Sequence, residues 1–474
     1  MRRVSHRAMT LLLAGGLTAS GLGLAGAAQA AAPAPAASGD ILAQLKAIPG
    51  MTVQEKTSTL TGYRWFWLTY KQPVDHRKPK GKWFEQRIML EHRDASAPMV
   101  EYTSGYNTPE TMFQSEPTAL LSANQISVEY RYFTPSRPAD ANWKNDNIWQ
   151  AATDEHRIVQ ALKPIYKAKW INTGASKGGM TATYHKRFYP NDVAGSVVYV
   201  APNDYNNNKD KAYDKFFQTV GTDAKCRTHV KDLAREILKR RTAMETRLNA
   251  DAKTNGWTFS ILKGTDRAFE NSVMDFEWGF WQYHLQAECA SLPATSASDD
   301  DIYKVFMDVA DGSSYADQNL SAYIPYYYQA GTQLGWPSPK FPNLHDLLRY
   351  ESSYVPRTYV PRDIAMRFDN GRAMRDIDSW VRGNANHMLF VYGANDPWGS
   401  KPFRLGKGSR DSAVYVAPGM NHSGRLIAKL PDAQRAKAVA DLQRWAGVTP
   451  TMKATTAVPT PMGEDPTLAQ RPPL

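Results

Sequence analysis

The stretch Lys169-Trp170-Ile171-Asn172-Thr173-Gly174-Ala175-Ser176-Lys177-Gly178 decides how this chain is read. An apolar run, Lys169–Thr173, leads into a serine flanked by glycines at second neighbour, and Met180–Tyr189 then has helical character. Strand, tight turn and helix around G-x-S-x-G is the context in which a serine hydroxyl is lifted to the edge of a sheet as a nucleophile. The glycines serve sterics, because the turn is sharp and its neighbours must approach closely. The N-terminus of the following helix favours negative charge beside the serine. A phosphate loop is excluded, since G-x-x-x-x-G-K-[ST] does not fit these residues.

Working outward, Tyr63–Tyr70, Phe84–His92, Met99–Thr103 and Gln125–Phe133 are rich in aromatic and β-branched residues and read as strands. Trp170–Thr173, Val197–Val200, Met388–Tyr392 and Ala413–Val416 add more. Pro109–Leu121 has helix character, and Asn147–Leu162 carries apolar residues at helical spacing (Ile148, Ala151, Ile158, Leu162). Strands alternating with helices predict an α/β domain with a largely parallel sheet. Between Tyr205 and Trp380 the texture turns helical, with Val230–Leu248 reading as one long charged helix. The organisation expected is a signal peptide at 1–30, a flexible leader at 31–40, a first core half at 41–204, a helical cap at 205–380, a second core half at 381–447, and an extended Pro/Thr-rich tail without catalytic role at 448–474.

A serine hydroxyl needs a base within hydrogen-bond reach, itself oriented by a carboxylate. On this kind of sheet the order is serine, acid, histidine, each on a loop past a strand. Asp396 follows the strand Met388–Tyr392 and is framed by Gly393 and Pro397; His422 follows Ala413–Val416 in Pro418-Gly419-Met420-Asn421-His422. No other histidine satisfies both order and loop position. The oxyanion hole calls for the N–H of Lys177 and one from the loop Ser104-Gly105-Tyr106-Asn107, with Tyr106 or Gly105 as donor. Acyl transfer to water through an acyl-enzyme is the chemistry expected.

Composition narrows the rest. The chain has 474 residues, 42% of them hydrophobic and 22% charged, which excludes a disordered or collagen-like chain. Arg2, Arg3 and Arg7 precede an apolar stretch ending in Ala28-Gln29-Ala30, the signature of secretory export with cleavage after Ala30. A secreted, extracellular protein is therefore expected. Three arginines leave with that segment, taking the net charge from +11 to +8. No dense basic cluster interleaved with aromatics follows, so no nucleic-acid partner is expected. No uninterrupted apolar span follows either, so no membrane partner is expected. Cys226 and Cys289 are the only cysteines and are expected to form a disulfide. Their spacing fits no structural zinc site, and neither metal nor cofactor is expected. A monomer is expected.

In Thr173–Met180, Tyr392-Gly393-Ala394-Asn395-Asp396-Pro397-Trp398 and Pro418–His422 the chain resembles secreted bacterial serine peptidases of the prolyl tri/tetrapeptidyl aminopeptidase type. Gln72-Pro73-Val74-Asp75-His76 and Glu129-Tyr130-Arg131-Tyr132-Phe133 are similar to segments of the related lysosomal Pro-Xaa carboxypeptidases and dipeptidyl peptidases. The resemblance spans Tyr63 to Gly424 and is looser in the helical insertion. It implies an α/β-hydrolase core with a helical cap and release of short peptides from a free N-terminus, often after proline. Ser176, Asp396 and His422 would be its triad. The partners would be peptides bearing a free amine. Met274–Tyr283 in the insertion mixes acids with aromatics, and Glu277 and Trp281 lie one helical turn apart. Glu277 is the expected anchor for a cationic α-amine, with Trp278 and Trp281 as aromatic walls and Asp275 or Asp204 as alternative acids. The competing readings are an ester hydrolase on the same core and a non-catalytic extracellular binding protein.

Overall fold

Among the described residues there are nine strands: β1 (Met51–Lys56), β2 (Arg64–Pro73), β3 (Trp83–His92), β4 (Met99–Thr103), β5 (Asn124–Val128), β6 (Trp170–Ala175), β7 (Gly195–Tyr199), β8 (Met388–Gly393) and β9 (Ala413–Ala417), β2 to β9 rising from the aromatic and β-branched runs. The computed structural model describes residues 39–139, 142–205, 210–449, 458–469 and 471–473. The expected signal peptide and nearly all of the expected leader lie outside them. All nine strands form one sheet in the order β1-β2-β3-β5-β4-β6-β7-β8-β9. β1, β2 and β3 make an antiparallel meander and β3 meets β5 antiparallel; from β5 to β9 every pairing is parallel. This is an α/β-hydrolase core, and β1 is a strand that the sequence reading did not include.

Every residue of β4, β5, β6, β7 and β8 is buried, as strands covered on both faces require. The helix Ile148–Leu162, capped by the Asn147 side chain on the Gln150 N–H, packs Ile158, Val159 and Leu162 against Leu90, Ile126 and Val128. The helix Asp432–Ala446 lays Ala438, Leu442 and Trp445 on Val100, Ile171 and Val197. The helix Arg372–Asn384 turns Met374, Ile377 and Val381 onto Val198, Met388 and Phe390. It covers the core sheet, so the helical insertion gives way to core packing before residue 380.

Three local expectations are corrected. The strand expected to run to Phe133 ends at Val128, where Glu129 turns inward to the Arg87 guanidinium (2.5 Å) and Arg131 to Asp154 (2.6 Å). Helix in 109–121 is confined to Glu116–Leu121, started by the Ser115 cap. The single helix expected over 230–248 is two, Ala224–Lys239 and Arg241–Asn255. At the break, Arg240 donates to the carbonyls of Ala297 and Thr295 and pairs with Asp299.

Between β7 and β8 the chain builds a helical layer around Thr265–Tyr283, a helix buried over most of its length that carries acids among its apolar and aromatic residues. Cys226 and Cys289 are joined, with their Cα atoms 5.7 Å apart. Among the described residues no helix is long and apolar enough to cross a membrane. The far C-terminus departs from the expected extended tail: Gln114 N–H bonds the Met462 carbonyl, and Ser423 Oγ bonds Asp465, so this end of the chain lies against the core.

Candidate active site

At the end of β6 the backbone must turn sharply into the helix Lys177–Phe188, and Ser176 takes the strain, with φ 55° and ψ −129°. For a non-glycine residue this is a costly conformation, kept only where the surroundings impose it. They do so here. Ser176 N–H bonds the Tyr199 carbonyl at 3.0 Å. A Cβ on Gly178 would lie 2.3 Å from the Thr103 carbonyl oxygen, and one on Gly105 2.4 Å from the Gly178 nitrogen. The loop after β4 and the first helical turn therefore touch backbone to backbone.

Asp396 and His422 arrive on the loops after β8 and β9. His422 Nδ1 and Asp396 Oδ2 are 2.9 Å apart, and both residues are buried. The other carboxylate oxygen accepts the Trp398 N–H at 3.0 Å, which fixes the carboxyl plane. The His422 N–H donates to the carbonyl of Gln282 in the helical layer at 3.1 Å. Ser176 and His422 line one cavity together with Tyr106, Gln282, Tyr326 and Trp398. That cavity holds about 20 Å³, room for little more than a single water.

On the oxyanion side Lys177 is the first residue of its helix, so its N–H has no intrahelical acceptor. The Tyr106 N–H instead donates to Ser104 Oγ at 3.2 Å, and Tyr106 lines the cavity that contains Ser176. The expected backbone donor is thus committed elsewhere. The Lys177 side chain has a part the sequence did not suggest: its Nζ donates to the Gly105 carbonyl at 2.7 Å and sits 3.1 Å from the Tyr130 ring centre. Burial drives this ammonium down to about 7, opposed by Asp146.

The expected substrate-binding residues scatter. Glu277 pairs with Lys231 at 3.5 Å, and burial pushes its carboxyl up to about 7. It lines neither cavity that contains Ser176, because it points back among the cap helices. Trp281 is wholly buried against Phe280. Trp278 packs edge-on to Trp398, with ring centres 5.0 Å apart, and so buttresses the site from behind. Asp204 does reach a cavity shared with Ser176, Tyr106, Tyr326 and Trp398, where it is paired with Lys401. Asp275 accepts from the phenols of Tyr315 (2.7 Å) and Tyr354 and faces a neighbouring groove that it shares with Gln282.

Two further buried acids brace the loops. Glu116 accepts the N–H groups of Ile427 and Ala428 and the Tyr199 hydroxyl, each at 2.8 Å, just beyond the histidine loop. Asp154 gathers Arg131 and His76 (2.6 Å each), so the Gln72–His76 and Glu129–Phe133 segments meet in a scaffold away from the reacting groups. Among the described residues no cluster of three or more His, Cys, Asp or Glu is placed to hold a metal ion.

The PS-10 peptidase S37 family matches residues 34–471. A prolyl tri/tetrapeptidyl aminopeptidase of Streptomyces mobaraensis is 52% identical over 448 residues, which are 94% of this chain and 93% of that protein. Among solved structures, the proline iminopeptidase of Mycobacterium smegmatis aligns at 12% identity and a TM-score of 0.35, over 80% of this chain and 98% of its own. The peroxisomal α/β-hydrolase Lpx1 of Saccharomyces cerevisiae aligns at 11% identity and a TM-score of 0.37, over 84% and 94%.

Proposed function

The chain belongs to the PS-10 peptidase S37 family and is a serine peptidase, and from that premise we propose that it is a secreted exopeptidase releasing tri- and tetrapeptides from free N-termini, cleaving after proline. The observation that carries the reading is the cavity shared by a strained Ser176 and by His422, whose far nitrogen is held by Asp396.

In this mechanism His422 takes the Ser176 proton as Oγ attacks the peptide carbonyl, and Asp396 stabilises the imidazolium that forms. The oxyanion is received by the free N–H of Lys177, where the helix dipole is also favourable. His422 then protonates the departing amine, and water cleaves the acyl-enzyme. The proline ring packs in the apolar cavity beside Ser176, between Trp398, Tyr326 and Met180. With Glu277 paired to Lys231, the amine anchor passes to Asp275, a buried carboxylate that accepts from the phenols of Tyr315 and Tyr354.

The test compares a chromogenic tripeptide ending in proline, its N-acetylated form and a p-nitrophenyl ester. Turnover of the free-amine peptide alone, abolished in Ser176→Ala, supports the reading; equal turnover of the ester or the blocked peptide would refute it. Asp275→Asn is expected to raise KM for the free-amine peptide by about tenfold or more. An effect of the same size on residual turnover of the blocked peptide would remove Asp275 from amine binding.

A further inference from the structure

Part of the wall of the site is supplied by Pro472, near the end of the described residues. Pro472 lines the cavity of Ser176 and His422, and on its other side it lines the groove that contains Asp275. On the reading given above, a bound peptide must pass between those two places. The cavities on either side hold only about 20 and 40 Å³, whereas sites for small ligands hold roughly 300 Å³ or more. Pro472 and Gln282 line both of them, and Arg471 and Pro473 line the second.

Near residue 465 the hold is dense: Asp465 accepts from Ser423 Oγ at 2.8 Å and from the Gly424 N–H at 2.9 Å. Arg425 donates to the carbonyls of Gly463 (2.9 Å) and Glu464 (3.2 Å). These bonds tie the chain to the loop that carries His422. Further along, the Arg471 guanidinium lies 4.6 Å from the Tyr283 ring centre, Arg471 Nε donates to the Leu468 carbonyl at 3.3 Å, and the Tyr327 hydroxyl donates to the Pro473 carbonyl. A proline-rich strand is stiff before it binds, so it loses little entropy on settling among aromatic rings. It offers the same rings that the substrate offers.

We propose that residues 471–473 are an intramolecular pseudosubstrate: a proline-rich segment, anchored beside the base loop, that occupies the peptide path and must be displaced before substrate enters. The inference rests on the triad reading. A tethered competitor acts at an effective concentration in the millimolar range and multiplies the apparent KM without touching the chemical step.

The experiment ends the chain after Ala469, which keeps Asp465 and its bonds, and measures kcat and KM on a chromogenic tripeptide ending in proline. KM is expected to fall by about five- to tenfold with kcat nearly unchanged. Pro472→Asp in the full chain, which puts a charge against the apolar wall, is expected to move KM the same way. The synthetic nonapeptide of residues 466–474 should inhibit the shortened enzyme competitively. An unchanged or higher KM in both variants, or no inhibition by the nonapeptide, would overturn the proposal. Ser176→Ala run in parallel keeps the two readings apart: if that variant still turns over, the triad fails, whereas a dead Ser176→Ala beside an unmoved KM sinks the pseudosubstrate alone.

Discussion

Ser176 holds a backbone conformation that most residues avoid, and the glycines at 105 and 178 leave its neighbours no room to relax around a larger side chain. On the proposed mechanism, Ser176→Ala and His422→Ala should each lower kcat by about 10⁶-fold, and Asp396→Ala by roughly 10⁴-fold. Steady-state rates on a proline tripeptide check this, and near-normal turnover would free that residue of its role. Lys177→Met keeps the backbone N–H but releases the Gly105 carbonyl from Nζ. A loss of about 10²-fold in kcat is expected from the loosened Tyr106 loop, since small misplacements cost that much. An unchanged kcat would mean that the lysine merely fills space.

At the scale of elements, buried charge decides how the sheet and the nucleophile helix respond to pH. Glu91 on β3 is buried, which pushes its carboxyl up to about 8 although the Phe113 N–H bonds it. Its folded pKa lies above the unfolded value of about 4.3, so its contribution is whole below that pH and is lost as pH rises through about 8. Glu91→Gln should therefore leave Tm nearly unchanged at pH 4 and raise it at pH 9, measured by thermal melts; an equal shift at both would refute the assignment. His185 on the nucleophile helix lies between Glu101 (2.8 Å) and Asp192 (2.9 Å). Burial lowers its pKa, but the Glu101 charge and the Asp192 hydrogen bond win and raise it to about 9. Its stabilisation is present below about 6.5 and is lost as pH passes about 9, the same alkaline direction.

Elements also mark what the sequence could say. The core strands and the helix Ile148–Leu162 were legible because full burial writes itself as unbroken apolar runs and helical spacing. The chain order of Ser176, Asp396 and His422 was legible because each stands just past such a run. Long-range pairing was not: nothing near Glu277 announces Lys231 from another helix, and nothing in a Pro/Thr-rich tail announces Ser423 as the partner of Asp465. The strand ending at Val128 was misjudged for the same reason, since Arg87 and Asp154 stop it from outside.

Across the whole molecule, the helical layer depends on its single cross-link. The Cys226–Cys289 bond spans 63 positions, and a loop of that length is stabilised by about 4 kcal/mol on the chain-entropy account. The double variant Cys226→Ser/Cys289→Ser should melt at lower temperature, and reduction of the parent protein should reproduce the shift; coincident melts would show the bond to be idle. The backbone bond from His422 to Gln282 ties the proposed base to a helix of that layer, not only to the sheet. Mild heat or dilute urea that lifts the layer would then pull the imidazole out of alignment while the strands stay paired. Peptidase activity would fade before any sheet signal changes, so the enzyme would switch itself off well short of unfolding.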